Sequence, residues 1–247
     1  DTSPPGRCDA LVLRSPVSAK NFTQLVISSK PVLLRGEAFR YKVRKRWKKK
    51  EFLKRHGDHI FDVAEIPYAD VFGMASEKLT VRHFVDKFAQ MSAGIASGAK
   101  ASLYAFGADL IDQNPALGND LENEPPILKG VVIDKQRVSI ASPQFYLGPP
   151  KSGAPMHFHK DAVNILAYGR KRWFLHPPSE AVYSKRPIVE WMMDIKNFSH
   201  SPAPWECVQE AGDVIYVPNG WAHATLNIEE SIGVAYEFES RSLTAFA

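Results

Sequence analysis

The sequence of 247 residues has only two cysteines, Cys8 and Cys207, and it has no long apolar run. Two cysteines are too few for a disulfide-rich scaffold, although they allow one bridge. No apolar stretch approaches the ~18 residues of a membrane-spanning helix, so we expect no membrane span. The chain also lacks internal repeats and low-complexity segments. Its 45% hydrophobic and 23% charged residues are an ordinary globular composition.

The net charge of +4 conceals an uneven distribution of basic residues. Residues 40–57 contain ten Lys and Arg and a single acid, so this segment carries +9 and the rest of the chain −5. One interpretation is a polyanion-binding patch, because clustered Lys and Arg bind acidic partners and nucleic acids without sequence preference. The other is a solvated helix with Trp47, Phe52 and Leu53 packed inward. We favour the solvated helix and do not expect nucleic-acid binding.

The first third of the chain predicts mixed α and β structure. Apolar residues recur at helical spacing over 18–29 and 79–92, and Ser18 and Thr80 stand where N-caps belong. Between these segments, the stretch "PVLLRG" predicts a short strand. We therefore expect an α+β annex over residues 1–100.

From Ser102 onward, short apolar runs alternate with Gly, Pro and Asn. Many short strands with such punctuation indicate a barrel or a sandwich. One helix is predicted near 188–198. The pattern predicts a mainly β fold, a double-stranded β-helix over residues 101–247 that forms a single domain with the annex.

The stretch "PMHFHKD" places three potential metal ligands, His157, His159 and Asp161, at alternate positions. In an extended strand these side chains would project from one face. His223 follows a predicted tight turn and is the best candidate for a ligand from elsewhere in the chain. Any one of these histidines taken alone is more often a hydrogen-bonded structural residue, but together they predict a metal site.

Two further polar residues follow the histidines. Asn164 lies in the next apolar run, and alternation in "KRWFL" places Lys171 on the same face as Trp173. A lysine inside a barrel is costly unless an anion pairs with it, and a dicarboxylate cosubstrate would supply that anion. The alternative is that Lys171 faces solvent, as its neighbours Arg170 and Arg172 do.

Three motifs, "LGPPKSGAPMHFH", "NILAYGRKRWFLHPP" and "GDVIYVPNGWAHATLNIEESIGVAYEF", resemble the JmjC family of cupin-fold oxygenases that depend on Fe(II) and 2-oxoglutarate. Upstream, "KPVLLRG", "LTVRHFVDKF" and "SLYAFG" also resemble that family, so the likeness covers nearly the whole chain. It implies a double-stranded β-helix and the site residues of the family. These fall on His157, His159 and His223 for the metal and on Asn164, Lys171 and, as a weaker match, Tyr104 for 2-oxoglutarate.

The sequence departs from the family pattern at two positions. His159 replaces the usual carboxylate ligand, and Glu237 stands where an Asn is common. Losing a carboxylate removes one negative charge from the metal site, and imidazole also suits Zn(II) and Ni(II), so the preference for Fe(II) should weaken. Asp161 could restore the carboxylate as a ligand or could orient His159. Spacing to "YGRK" matches the family when His157 and His159 are the pair, which favours the supporting role.

Within the family, the His-aromatic-His motif and the context of both cysteines resemble a small member of the endoplasmic reticulum lumen. This likeness implies a secretory location and a bridge between Cys8 and Cys207. Asn21 and Asn197 each begin an N-x-S/T sequence, which is a glycosylation acceptor in that compartment. The alternative location is the cytoplasm or the nucleus.

Two functions are consistent with these residues. The first is an oxygenase that hydroxylates a side chain of a protein, and the retained Asn164 and Lys171 favour it. The second is a catalytically inactive JmjC protein that binds a metal or a partner in the secretory lumen, and His159 favours it. With either function, we expect the protein to act on or bind another protein.

Overall fold

The structure is a computed structural model that describes residues 8–96, 102–133, 135–197 and 202–239. These residues form sixteen strands and eight α-helices. The strands are β1 Leu11–Arg14, β2 Val32–Arg35, β3 Ile60–Ala64, β4 Glu77–Thr80, β5 Tyr104–Gly107, β6 Val132–Ile133, β7 Gln136–Arg137, β8 Ser139–Ile140, β9 Gln144–Gly148, β10 Gly153–His157, β11 Asp161–Tyr168, β12 Arg170–His176, β13 Trp205–Glu210, β14 Val214–Val217, β15 Ala222–Asn227 and β16 Ser231–Glu239. The helices are α1 Ala19–Ser28, α2 Lys42–Arg46, α3 Lys49–His56, α4 Val81–Asp86, α5 Phe88–Ala96, α6 Asp109–Asp112, α7 Pro115–Gly118 and α8 Ile188–Asn197.

Two sheets form the body of the fold. The larger has ten strands in the order β1-β2-β14-β11-β16-β9-β5-β3-β4, with β8 also paired to β16, and the smaller has the order β10-β15-β12-β13. Side chains from both sheets line one cavity, so the sheets face each other. The structure therefore confirms the predicted double-stranded β-helix. Within the described ranges, no helix is long and apolar enough to cross a membrane.

The N-terminal third extends the larger sheet and covers one face of it. Strands β1 to β4 join that sheet, through β2 to β14 and through β3 to β5. Apolar side chains of α1, α3 and α4, including Phe22, Phe52 and Phe84, pack in one core cluster with Phe145 and Val234 of the sheet. The residues assigned from sequence to an annex thus share a sheet and a core with the barrel strands.

Local sequence signals are confirmed at both predicted N-caps. The Ser18 hydroxyl accepts from the backbone N–H of Asn21, and the Thr80 hydroxyl accepts from that of His83. The second helix is divided into α4 and α5 at Lys87. Its N–H is shared between the carbonyls of His83 and Phe84, a bifurcated arrangement typical of helix ends.

The basic segment 40–57 contains α2 and α3. Trp47 lies between these two helices in sequence, and its side chain is buried. The Trp47 indole N–H donates to the Asp120 carboxylate at 3.0 Å, and His56 Nε2 lies 2.9 Å from the same carboxylate. Arg46 and Arg55 also pair with Asp120. Asp120, a buried acid far away in sequence, therefore neutralises part of the positive charge of this segment.

A disulfide joins Cys8 to Cys207. Cys207 is fully buried in β13, where its register partner is Trp173 of β12. The bridge thus fastens the N-terminal segment to the outer strand of the small sheet, next to a residue that lines the cavity between the sheets.

Replacing both cysteines by serine should lower the free energy of unfolding by about 3–5 kcal/mol, because the bridge closes a very long loop in the unfolded chain. The 199-residue separation sets the size of that loop. Chemical denaturation measured by circular dichroism checks the value. A reductant should lower the stability of the wild type and leave the double variant unchanged. Equal stability of the reduced and oxidised wild type would contradict the prediction.

Candidate metal centre and cosubstrate cavity

Two of the three candidate histidines are brought together by strand pairing. His157 at the end of β10 and His223 in β15 are register partners in an antiparallel pair. Their ring centroids lie 4.3 Å apart. The register shifts between Ala154 and His157, and such irregularities commonly redirect a side chain beside a functional site.

His159 reaches the cluster from a connection, and the prediction that it shares an extended strand with His157 is wrong. β10 ends at His157 and β11 begins at Asp161, so His159 lies between the strands. The backbone N–H of Gly220 donates to the His159 carbonyl at 3.1 Å, which ties this connection to the turn before β15. That turn carries Gly220 at φ +75, a conformation that favours glycine. The His159 ring lies 4.7 Å from the His223 ring.

Each histidine has its Nδ1 beside a backbone carbonyl. The distances are 2.7 Å from His157 to Pro155, 2.8 Å from His159 to Lys160 and 3.0 Å from His223 to Trp221. Because a carbonyl oxygen only accepts, Nδ1 must carry the proton and donate it. The Nε2 lone pair of each ring is then free, as metal-bound histidines require.

The three rings provide a neutral nitrogen site suited to a divalent transition metal. One ligand atom from each of His157, His159 and His223 lies within 4.8 Å of the other two. Burial, reinforced by the neighbouring His159, lowers the pKa of His157 to about 4, and burial lowers the pKa of His223 well below its usual range. Nitrogens bound to one ion at about 2.1 Å lie closer together than this spacing, so the rings would have to draw inward on binding.

Asp161 is placed beside this cluster but is engaged elsewhere. Its carboxylate accepts from the Tyr216 hydroxyl at 2.6 Å and from the backbone N–H of Asn219 at 3.2 Å. In the described part of the chain, the cluster of ligand atoms comprises the three histidines without Asp161. Asp161 therefore holds the turn between β14 and β15, which in turn positions His159 and His223.

Lys171 points into the interior, as strand alternation predicts. The turn between β11 and β12 requires glycine, because Gly169 has φ +88 and a Cβ there would meet the Glu230 carbonyl oxygen at 2.1 Å. Lys171 is 1% exposed, and its ammonium donates to the Tyr104 hydroxyl at 3.2 Å. No carboxylate of the described residues forms a salt bridge with it. Burial lowers the pKa of Lys171 to about 7.

The six residues predicted for the metal and the cosubstrate line one cavity between the sheets, together with Trp173 and Thr225. Sequence reasoning missed Tyr146, whose ring centre lies 4.2 Å from the Lys171 ammonium. The Tyr146 hydroxyl also donates to the Asn164 side-chain oxygen at 2.8 Å. Alternation in "QFYLG" could have placed Tyr146 on the interior face.

An aromatic mouth, defined here as Tyr68, Phe158 and Tyr183, stands beside the histidine cluster. These side chains are 45%, 48% and 52% exposed. Glu237 lines the same opening and accepts from the Gln144 side-chain amide at 3.0 Å. The sequence departure at Glu237 thus places a carboxylate at the opening beside the histidine cluster.

The family model described as the cupin-like domain matches residues 18–242. The chain belongs to the cupin-like JmjC family. JmjC domain-containing protein 8 of Mus musculus is 28% identical over 225 residues, which cover 90% of this chain and 79% of that protein. Arginine-specific demethylase JMJ22 of Arabidopsis thaliana is 28% identical over 92% of this chain and 45% of its own length.

Another relative is 2-oxoglutarate and iron-dependent oxygenase JMJD4 of Gallus gallus. It is 23% identical over 205 residues, which cover 75% of this chain and 47% of that protein. The JmjC relatives of this chain therefore include proteins named as oxygenases and as demethylases.

Replacing His157 or His223 by alanine should weaken Fe(II) binding by about 100-fold or more, because each removes one of three nitrogen ligands. Asp161→Asn should change the affinity by less than about threefold, since its carboxylate lies outside the cluster. Competition with a chromophoric chelator without oxygen measures both effects.

His176→Ala is the matched control for these metal-binding variants, because His176 is a buried histidine outside the cluster. A loss in Asp161→Asn as large as that in His157→Ala would show that Asp161 ligates the metal.

Proposed function

We propose that this protein is an Fe(II)- and 2-oxoglutarate-dependent oxygenase that hydroxylates a side chain of another protein. The observation that carries the proposal is the buried Lys171 ammonium, which has no carboxylate partner among the described residues and shares a cavity with three histidines. A buried cation is expensive without an anion. A dicarboxylate cosubstrate would provide one.

The residues around Lys171 suit a carboxylate. The Tyr104 hydroxyl contacts the ammonium at 3.2 Å and can donate its own proton to a bound anion. Asn164 lines the same cavity, and the Tyr146 hydroxyl fixes the orientation of its side-chain amide. This set offers one positive charge and neutral donors, which is the chemistry needed to bind and orient a carboxylate.

The histidines would hold the iron, which would supply the oxygen chemistry of the family when bound. Three ligands leave coordination positions open for a cosubstrate. The protein contributes the fixed tautomers of His157, His159 and His223 and a cavity whose lining includes buried polar side chains.

The aromatic mouth supports a protein substrate. Exposed aromatic side chains next to a buried site are typical of a surface that binds a partner, and the exposed Val71 and Val182 lie close to the mouth in sequence. A relative from Caenorhabditis elegans is named bifunctional arginine demethylase and lysyl-hydroxylase psr-1. That name supports, for this chain, a substrate residue within a protein.

A second function is favoured by the absence of a carboxylate from the described cluster of metal ligands. With three neutral ligands, a bound divalent ion keeps its full charge of about +2, whereas a carboxylate ligand would reduce it to about +1. Zn(II) or Ni(II) would suit such a site as well. In that case the protein would be an inactive JmjC module that binds a metal or a partner.

For either function we propose a location in the lumen of the endoplasmic reticulum. The disulfide between Cys8 and Cys207 is typical of an oxidising compartment. Asn21 is exposed on α1 and available as a glycosylation acceptor. Asn197 ends α8, and the rest of its acceptor sequence lies outside the described residues.

Purified protein loaded with Fe(II) should release succinate from 2-oxoglutarate in the presence of oxygen and a peptide pool. His157→Ala and Lys171→Ala should each lower that release by at least about 100-fold, as expected for loss of a site ligand. Mass spectrometry of the peptides should show the addition of one oxygen atom. Metal binding without succinate from any peptide pool would favour the inactive module.

The affinity for 2-oxoglutarate should fall as the pH rises above about 7. Because burial lowers the pKa of Lys171 to about 7 in the free protein, a bound dianion must raise it again. Binding is therefore strongest below pH 7 and weakens by up to about tenfold per pH unit above it. Titration calorimetry with Mn(II), in buffers of different ionisation enthalpy, counts the proton taken up.

Lys171→Arg is the control for this pH dependence, because arginine stays charged and should flatten the profile. A constant affinity between about pH 6 and about pH 9, with no proton uptake, would contradict the assignment.

A further inference from the structure

A second cavity, here called the outer cavity, lies on the opposite face of the larger sheet. It has a volume of about 360 Å³ and is lined by Trp47, Phe52, Leu53, Phe88, Leu147 and Ile232. Leu147 and Ile232 are register partners in β9 and β16. Their neighbours in sequence, Tyr146 and Gly233, meet on the side of the sheet that faces Lys171. The outer cavity is therefore separate from the site of the proposed function.

The outer cavity is lined mainly by apolar side chains and is partly open to solvent. Protein interiors are close-packed, and voids larger than a water molecule are few. Its lining includes the buried aromatic side chains of Trp47, Phe52 and Phe88 and the polar residues Lys49, Glu229, Glu230 and Ser231. Apolar surface in a pocket of this kind favours an apolar ligand, because binding removes that surface from water. Its volume falls within the range of about 300 to 1,000 Å³ that is common for small-molecule sites.

The rim of the outer cavity carries an exchangeable ion pair. Lys49 lies 2.7 Å from Glu230, and the two side chains are 59% and 44% exposed. Such an exposed pair contributes little stability, so a ligand anion can replace Glu230 at Lys49. The other rim carboxylate, Glu229, faces Arg170 at 3.6 Å.

Lys48 and Lys50, the sequence neighbours of Lys49, add positive charge that no described acidic residue neutralises. Lys48 and Lys50 are exposed, and neither forms a salt bridge with any residue in the described ranges. As the neighbours of Lys49 in sequence, they raise the local positive charge beside the outer cavity. The two lining acids, Glu230 and Glu229, are paired with Lys49 and Arg170, so Lys48 and Lys50 supply the excess positive charge beside the outer cavity.

We propose that the outer cavity binds the hydrocarbon chain of a single-chain anionic amphiphile, with its headgroup at Lys49. The apolar walls would take up the chain by removing it from water. Lys49 and the adjacent lysines would hold the charged head. This site is independent of iron, of 2-oxoglutarate and of the proposed oxygenase activity.

The test uses Trp47 as a built-in reporter, because its ring lines the outer cavity. Decanoate brominated along its chain, added below its micelle concentration, should quench the tryptophan fluorescence with 1:1 saturation. Trp47→Phe should remove most of that quenching, since the other four tryptophans lie outside the cavity lining. Calorimetry with unlabelled decanoate measures the affinity directly. Absence of saturable decanoate binding would overturn the proposal.

Three variants test the two parts of the site. Leu53→Phe fills the cavity from its partly exposed side and should weaken decanoate binding by at least about tenfold. Lys49→Gln should weaken it about fivefold and leave decanol binding unchanged, whereas Glu230→Gln should strengthen it by a similar factor. Lys54→Gln, on the same helix and outside the lining, is the matched control.

Thermal unfolding establishes that each variant is folded. If Leu53→Phe does not fold, the decanoate affinity of Lys49→Gln alone tests whether the headgroup binds at Lys49. Equal decanoate affinity in the wild type and in every folded rim and cavity variant would overturn the proposal. Binding to anionic lipid vesicles without binding of free decanoate would also overturn it, because that result would assign the basic segment to a membrane surface.

Discussion

The buried ammonium group of Lys171 is the strongest physical constraint on the cavity between the two sheets, because a buried cation needs polar or anionic neighbours. The strand period of β12 turns this side chain inward, and the Gly169 turn fixes where the strand begins. Among the described residues, the ammonium contacts the Tyr104 hydroxyl and the faces of two tyrosine rings. A charge in such surroundings is stabilised when an anion enters. This arrangement is the physical basis of the proposal that an anionic cosubstrate binds in the cavity.

The candidate metal site consists of three neutral imidazoles. The absence of a negatively charged ligand among the described residues affects both metal retention and the charge of the bound metal. A carboxylate ligand would help to keep iron bound and would lower the charge that the cosubstrate meets. His159 does neither, and Asp161, whose Oδ1 accepts from Tyr216 and Asn219, lies outside the described cluster of ligand atoms. The site should therefore hold an anionic cosubstrate firmly and discriminate less among divalent metals. In the proposed oxygenase, oxygen activation is the step that this substitution would affect.

Sequence reasoning succeeded where local geometry decides the outcome. The strand period placed Lys171 inward, and the capping pattern located the starts of α1 and α4, because both depend on neighbouring residues. The same reasoning failed at His159, where a strand was expected. There the chain leaves the strand because its backbone bonds to Gly220, which is 61 residues away and could not be identified from spacing.

Contacts between segments that are distant in the chain could not be predicted from the sequence. The register pairing of His157 with His223 joins two strands, and the contact of Trp47 with Asp120 joins segments 73 residues apart. The position of Tyr146 over Lys171 joins two sheets. The family resemblance supplied the ligand set and the bridge between Cys8 and Cys207. It could not supply the outer cavity, which arises where α3 and α5 cover the larger sheet.

The most direct test is the energetic coupling between metal and 2-oxoglutarate, measured by calorimetric titration of 2-oxoglutarate without oxygen, with and without Fe(II). If the cosubstrate joins Lys171 to the histidine cluster, Fe(II) should raise its affinity by at least about tenfold, a coupling of about 1.4 kcal/mol. Lys171→Met should remove the binding with or without metal. An affinity that is the same with and without Fe(II), or that survives in Lys171→Met, would contradict the assignment of this cavity to an oxygenase.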